Sequence, residues 1–438
     1  MSLSRFFYNP SMSPAPSPAL PSYDEAAAIV SAYAVEAAQR SPRIEHVELA
    51  ISLGRVLAQP LYADRDQPPF ARSTRDGFAC RASEASKHEF LNLAGQSRAG
   101  DAPAAPLPKG HAWEIMTGAP IPPGSDAVLM IEHVETSGKK VRLLPPRTVK
   151  PGENIVEQGA QAREGDELLP VGSAIHAGQI ALAATCGHSA LDVFAKPRVA
   201  ILTTGDELVP VNASPGPGQI RNSNGPMLAA LVAAAGGEPW VLPTAADNPE
   251  ALDSLLVEAV AADLLLISGG VSAGKFDLVE PALARAGARF HFTGVRIQPG
   301  KPLVFGELPY SHTDANQDQN GTKHFFGLPG NPVSSAVTFL LFATPILGAL
   351  SGRHDSGPRF ALARLRAEAG KLAKSDLTRF LPASCSFSAT TSQLPEVELV
   401  PWAGSGDLAA LARSNCFLVL PEASGRLEAG AIVRILLT

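Results

Sequence analysis

Three glycine-rich stretches gather most of the groups in this chain that could hold an anion or a metal ion. The first is Thr203-Thr204-Gly205-Asp206-Glu207. The second is Ser268-Gly269-Gly270-Val271-Ser272-Ala273-Gly274, and the third is Gly327-Leu328-Pro329-Gly330-Asn331-Pro332-Val333-Ser334-Ser335. Each follows or closes a short apolar run of the length expected for a buried strand. Free backbone N–H groups in such loops bind oxyanions. At the third loop Pro332 suits a first helical turn, where its missing N–H is no loss. Ser334 and Ser335 add hydroxyls at that helix start. Asp206, Glu207 and Asp277 stand at strand ends and could hold Mg2+, a hard cation that takes one or two carboxylates plus substrate phosphate oxygens. Gln298-Pro299-Gly300-Lys301-Pro302 presents one ammonium, Lys301, from a turn stiffened by proline. A single glycine at a strand end only turns the chain, and a single acid is a solvated or capping group. Three such loops in one sheet weigh against that plainer reading.

Several other patterns fall short. Gly269 and Gly274-Lys275 have the spacing of a phosphate-binding P-loop, but Phe276 stands where the Mg2+-binding Ser or Thr belongs. Arg72-Ser73-Thr74-Arg75-Asp76-Gly77-Phe78-Ala79 and Ile115-Met116-Thr117-Gly118-Ala119-Pro120 read, on chemistry alone, as turns. The ten histidines show no HExxH spacing, and no Ser-His-Asp order is apparent.

The elements needed to position the three loops are legible around them. From Pro197 onward short apolar strands alternate with helices: Val199–Leu202, Trp240–Leu242, Leu264–Ile267, Leu303–Phe305 and Phe325–Leu328, with helices near 226–235, 249–262, 278–286 and 331–350. A polar loop is expected over 311–323. This alternation predicts an α/β fold, a doubly wound parallel sheet with helices on both faces over 197–352. Ligands of such a sheet bind outside the carboxyl ends of its strands, where the three loops lie. Ser22-Tyr23-Asp24-Glu25 is a capping box that opens a helix to about Gln39, and residues 1–21 are expected to form a disordered leader. Pro- and Gly-rich alternation over 61–147 predicts a small β domain, 353–438 a C-terminal β barrel or sandwich, and the chain turns mixed over 148–196.

Length and composition set the outer limits. A chain of 438 residues with 45% hydrophobic and 18% charged residues can bury several cores. A net charge of −6 argues against a dedicated nucleic-acid binder. Cys80, Cys186, Cys385 and Cys416 are scattered and few, which points to a reducing cytoplasm rather than a disulfide framework. No apolar run free of charge and turn signals is long enough to predict a membrane span.

Taken in order, the motifs resemble those of the molybdopterin molybdenumtransferase family, to which the gephyrin E domain is related. The matching pieces are Ser22-Tyr23-Asp24-Glu25-Ala26, Ser73 to Ala79, Glu114 to Pro120, Thr204 to Leu208, Ser268 to Ser272, Pro299 to Pro302, Gly327 to Ser334, and Asn415 to Pro421. They cover nearly everything after Pro21. The resemblance implies four domains: a mixed domain built from 22–60 and 148–196, the β domain inserted into it, an α/β molybdopterin-binding domain and the C-terminal barrel. It implies a homodimer whose active site joins the α/β domain of one subunit to the inserted domain of the other, so that Asp76 and Thr117 reach the site from the partner. The implied reaction takes adenylylated molybdopterin and molybdate, releases AMP and leaves molybdenum on the dithiolene, with Mg2+ assisting. An upstream adenylyltransferase and downstream molybdoenzymes are implied partners; no nucleic acid or membrane is.

Carried over residue by residue, Asp76, Thr117, Asp277 and Lys301 are the catalytic candidates. Thr204 to Glu207, Ser268 to Ser272, Pro299, Gly300, Gly330 to Pro332 and Ser334 are the binding candidates. The chain departs from the family pattern at Arg75 and Phe78, where Met and Tyr are usual. It departs again at Asn222 for an acid, at Lys275 for an acid, and at Gln298 for a lysine. Positive charge is therefore lost at Gln298 and gained at Arg75 and Lys275. Two other readings stay open: a non-catalytic relative that binds molybdopterin or acts as a scaffold, and a nucleotide phosphohydrolase on the same α/β plan.

Overall fold

A computed structural model describes residues 19–39, 42–102, 104–271, 278–314, 317–353, 356–369, 376–386 and 394–438, with 311–314 and 317–320 described by backbone alone. The chain forms two compact units, one of residues 1–45 with 194–438 and one of residues 46–193.

The larger unit is built on a six-stranded sheet. In chain order its strands are β1 (Arg198–Thr203), β2 (Glu238–Val241), β3 (Leu264–Ser268), β4 (Arg289–Phe292), β5 (Val304–Asp314) and β6 (Gln317–Leu328), arranged β2-β1-β3-β6-β5-β4. The first four in that arrangement are parallel, while β5 and β4 run antiparallel to their neighbours. The sheet is thus mixed, not all parallel as the alternation suggested. Residues 311–314 and 317–323, within the stretch expected as a loop, belong to a long hairpin in which Val304 pairs with Gly327 and Asp314 with Gln317.

Both faces of the sheet are covered, as continuous apolar strands require. Val199, Ile201, Leu264 and Leu266 join one core, whereas Ala200, Leu202, Leu265 and Ile267 join the other. The first core takes helix α1 (Tyr23–Ala38), α2 (Asn224–Ala234) and the long helix Pro332–Leu350. The second takes α3 (Pro249–Ala259) and α4 (Val279–Arg285). The capping box of α1 is present in full: Glu25 N–H donates to Ser22 Oγ at 3.2 Å and Ser22 N–H to Glu25 Oε2 at 2.7 Å. α1 belongs to this unit, Tyr23 lying edge-on to Phe342 and Phe380. That placement differs from the sequence grouping of 22–60 with 148–196. Pro332–Leu350 is long and apolar enough to cross a membrane, but its apolar window is 83% buried, so it is a core helix of this unit.

The C-terminal strands Phe360–Leu365, Thr378–Ser386, Glu396–Leu399, Cys416–Leu420 and Ile432–Leu437 close into a barrel, because Thr378–Ser386 pairs with both Glu396–Leu399 and Cys416–Leu420. A two-residue strand from the α/β part, Ile297–Gln298, adds to it alongside Thr378 and Arg379.

In the other unit a six-stranded sheet runs in the order Ala127–Met130, Gly77–Cys80, His111–Ile115, Leu91–Ser97, Lys140–Leu143, Val134–Ser137. Gly77 admits no side chain: a Cβ there would come within 1.8 Å of Leu129 O. The returning chain pairs Ile155–Val156 with Arg72–Ser73 and Glu167–Leu169 with Leu61–Tyr62.

Candidate functional site

The ends of β1, β3 and β6 meet in a cleft of about 840 Å³ within the larger unit. The loops approach too closely for side chains at their hinge points. A Cβ on Gly269, whose φ is +99°, would stand 2.7 Å from Thr204 O, and one on Gly205, φ +143°, would stand 2.5 Å from Glu207 Oε2. The second glycine thus leaves room for the Glu207 carboxylate to fold back over the loop.

Of the expected binding residues, Thr204, Gly205 and Glu207 from the first loop line the cleft, as do Ser268, Gly269, Gly270 and Val271 from the second. Gly330, Asn331 and Pro332 line it from the third. Asp206 does not line it. Its Oδ1 accepts from Asp247 N–H at 2.9 Å, and its own N–H donates to Asp247 Oδ2 at 3.3 Å. Among the described residues the acids that reach the cleft are Glu207 and Asp247, the second of which the sequence reading missed. No motif marks Asp247; it enters because Ala245 bridges to Thr204, bringing 245–247 beside the first loop. Asp277 and Ser272, together with Lys275, lie outside the described residues. The helix after them begins only at Val279, too late for a P-loop. Among the described residues no group of three or more His, Cys, Asp or Glu side chains could hold a metal by itself.

The third loop corrects one expectation. Its helix start is not a free anion site, because Val333 N–H donates to Ser405 O at 3.0 Å. Ser334 is buried, and the Ser335 hydroxyl donates to Pro329 O at 2.5 Å. Asn331 occupies the N-cap position without capping; its Nδ2 donates instead to Ser405 Oγ at 2.9 Å. This contact brings Gly406 and Leu408 of the C-terminal region into the cleft wall.

The turn that departs from the family pattern proves to be a structural hub. Asn222 Nδ2 donates to Thr203 Oγ1 at 2.8 Å and Thr244 Oγ1 at 3.2 Å, while its Oδ1 accepts from Gly225 N–H at 3.0 Å. Asn224 Nδ2 donates to Ser268 Oγ at 2.8 Å and Gly330 O at 2.6 Å, tying the second and third loops together.

The proline–glycine turn before β5 sits elsewhere than expected. Pro299 and Gly300 are buried, and a Cβ on Gly300 would meet Thr338 Cγ2 at 2.6 Å. Lys301 is exposed; its neighbour Pro302, not Lys301 itself, lines the cleft. Gln298 is exposed and pairs in register with Arg379, a guanidinium 6% exposed whose Nη2 donates to Ser424 O at 3.4 Å and whose Nε has no hydrogen-bond partner among the described residues. A cation thus lies beside the position where the family's lysine is missing.

In the unit of residues 46–193, Asp76 and Thr117 are joined directly. Thr117 donates its N–H at 2.7 Å and its hydroxyl at 2.8 Å to Asp76 Oδ1. These two bonds, the backbone one first, hold the Asp76 carboxyl below its ordinary range. Arg75 is exposed, and Phe78 is buried in the core of its sheet, so that departure touches packing.

Comparison with known proteins covers most of the chain. Residues 21–187 match the family described as MoeA N-terminal region (domain I and II), 200–349 the probable molybdopterin binding domain, and 364–438 the MoeA C-terminal region (domain IV). A molybdopterin molybdenumtransferase of Haemophilus influenzae is 32% identical over 397 residues, 89% of this chain and 93% of that protein. One from Nostoc sp. is 38% identical over 314 residues, 70% of each. A molybdopterin biosynthesis moeA protein from Pyrococcus horikoshii superposes with a TM-score of 0.78 at 27% identity, covering 96% of this chain and all of that one.

Proposed function

The chain belongs to the molybdopterin molybdenumtransferase family, and from that premise we propose how its cleft works: it holds adenylylated molybdopterin against molybdate, AMP departs, and molybdenum stays on the dithiolene. The observation that carries this reading is the convergence of three glycine loops and two acids, Glu207 and Asp247, at the carboxyl ends of parallel strands. Both substrates are anions; the N–H groups of Thr204, Gly205 and Gly269 are committed to carbonyls of the fold, which leaves those of Gly270, Gly330 and Asn331, among the described loop residues, as the preorganised donors for them. The amide of Asn224 fixes two of the loops relative to each other, so the donors need not reorganise when substrate arrives.

Mg2+ fits this donor set, since it takes one or two carboxylates and completes its shell with substrate oxygens. Glu207 and Asp247 would hold it, with Asp277 as a further candidate from the sequence. Bound there, it would offset the charge that develops on the phosphoryl oxygens as the anhydride breaks. Asp76, kept ionised by Thr117, and Lys301 remain candidates to act on the same substrate. The homodimer implied by the resemblance would bring Asp76 and Thr117 from the partner subunit. The substrate is an adenylate, so an adenylyltransferase must supply it, and molybdoenzymes consume the product. A reducing cytoplasm suits the four buried free thiols.

The test is AMP release from adenylylated molybdopterin by the full chain, with and without molybdate, and mass spectrometry of the pterin product. Release that requires molybdate and a metal-bearing product are expected. Release without molybdate would overturn the reading in favour of a phosphohydrolase. Binding without release would overturn it in favour of a non-catalytic relative.

A further inference from the structure

Among the described residues lining the cleft, one is a cation: Arg221. It ends a small flap in which Leu208–Val209 pairs in parallel with Ile220–Arg221. The flap is tied to the first glycine-rich loop at its root, where Ile220 N–H donates to Glu207 O at 2.8 Å and Asn222 N–H to Val209 O at 2.9 Å. Arg221 Nε donates to Ala213 O at 3.0 Å. Among the described residues the guanidinium makes no other hydrogen bond and no ion pair, even with Glu207 or Asp247 in the same cleft. One N–H therefore fixes the plane of the fork, and the four on its two Nη atoms are left for a ligand.

Apolar side chains line the same cleft as that fork. Leu208 and Ile220 come from the flap itself and Leu408 from the C-terminal region. Ile220 is 57% exposed, an apolar side chain on the open rim. A planar guanidinium beside an uncovered apolar wall matches a phosphate monoester attached to a flat heterocycle. The substrate proposed above has two such halves, the pterin and the adenylate. The glycine loops at 203–205 and 268–269 are buried, whereas the flap is at the rim, where a leaving product must exit.

We infer that the flap is the subsite for the adenylate half, with Arg221 gripping the AMP phosphate and Leu208, Ile220 and Leu408 covering the base. The inference rests on the reaction proposed above and adds to it the residue that recognises the leaving nucleotide.

Calorimetric titration of AMP into the full chain tests it without requiring turnover. Arg221→Ala should weaken AMP by about tenfold or more, the loss expected for a charge-assisted bidentate contact. Arg221→Lys should recover part of the loss, since an ammonium keeps the charge without the fork. Ile220→Ser leaves the Arg221–Ala213 contact intact and should weaken both AMP and adenosine, whereas Arg221→Ala should leave adenosine unchanged. The molybdate concentration for half-maximal AMP release should not move in Arg221→Ala. Unchanged AMP affinity in both Arg221→Ala and Ile220→Ser overturns the assignment. So does a change confined to molybdate, or to molybdopterin that has not been adenylylated. A wild-type chain that releases AMP only with molybdate yet binds it no better than Arg221→Ala sinks the subsite and leaves the reaction standing. Molybdate-independent release with the expected Arg221 effect does the reverse.

Discussion

Asp76 is exposed, yet both donors of a single residue converge on one of its oxygens. Thr117→Val deletes the hydroxyl donor and keeps the backbone one. Because the backbone bond is the larger cause of the shift, the Asp76 pKa should rise only part of the way toward its ordinary value, read by NMR titration of the side-chain carboxyl. A carboxyl that does not move would mean the hydroxyl bond is absent in solution. The sign follows from linkage. The folded pKa lies below the unfolded one, so the contribution is present above the ordinary 3.8 and is lost as pH falls through the folded value. Charge near the lost lysine poses a second residue-scale question. Of the two positions that gain positive charge, Arg75 is exposed in the other unit and Lys275 lies outside the described residues. Arg379, in register with Gln298, is the better placed cation. Arg379→Met should raise the molybdate concentration needed for half-maximal AMP release by about tenfold, corresponding to about 1.5 kcal/mol for one charged hydrogen bond. Arg75→Met should be nearly silent. If the two variants exchange these effects, the buried guanidinium serves packing alone.

At the level of elements, α1 and the sheet edge enclose a buried pair of titratable groups. His291 Nε2 lies 3.3 Å from Glu307 Oε2, with both side chains under a tenth exposed. The Tyr33 ring of α1 stacks on His291 at 4.0 Å, and Thr322 donates to the other Glu307 oxygen at 3.0 Å. Burial lowers the His291 pKa, and the opposing attraction of Glu307 does not restore it; Arg289 lowers it further and Glu36 raises it. The unfolded chain therefore takes up this proton at higher pH than the folded one. Stability from this group is complete above 6.5 and is lost as pH falls from there toward the folded value. Melting temperature plotted against pH should drop below 6.5 in the wild type and drop less in His291→Phe; parallel curves would remove His291 from the account. The same elements show what a sequence does and does not disclose. Strands such as Leu264–Ser268 were legible because both faces are buried and the run is apolar throughout. The outer part of the hairpin was not. Only His324 to Leu328 of β6 have a partner on β3, so residues 309–314 and 317–322 pair with each other alone and carry no core pattern to read. The three glycine loops announced the cleft, while Asp247, Arg221 and Leu408 arrive from segments whose local sequence has no signature. Their place depends on a bridge, a flap and a contact at Ser405, all of them tertiary.

The whole chain alternates between its two units, and the proposed dimer can be tested through that division. Asp76 and Glu207 belong to different units. If each active site combines one unit from each subunit, mixing inactive Asp76→Ala with inactive Glu207→Gln should regenerate roughly a quarter of wild-type AMP release. Statistical pairing makes half the dimers mixed, each with one intact site. No recovery after subunit exchange, or a monomer by light scattering, removes the shared site. Family membership and the order of domains were readable from short motifs spread along the chain. The allegiance of α1 was not, since its apolar face says only that it is buried, not by what. That allegiance has a consequence for how the protein is made. α1 leaves the ribosome well before its partners: Phe342 and Phe380, which pack on Tyr23, are synthesised about 320 and 360 residues later, on the order of 16–70 s at ordinary elongation rates. Residues 46–193 form a continuous unit that is complete long before then. The nascent chain therefore carries an unpaired amphipathic helix past a finished domain, and this helix is the segment for which a chaperone would be wanted.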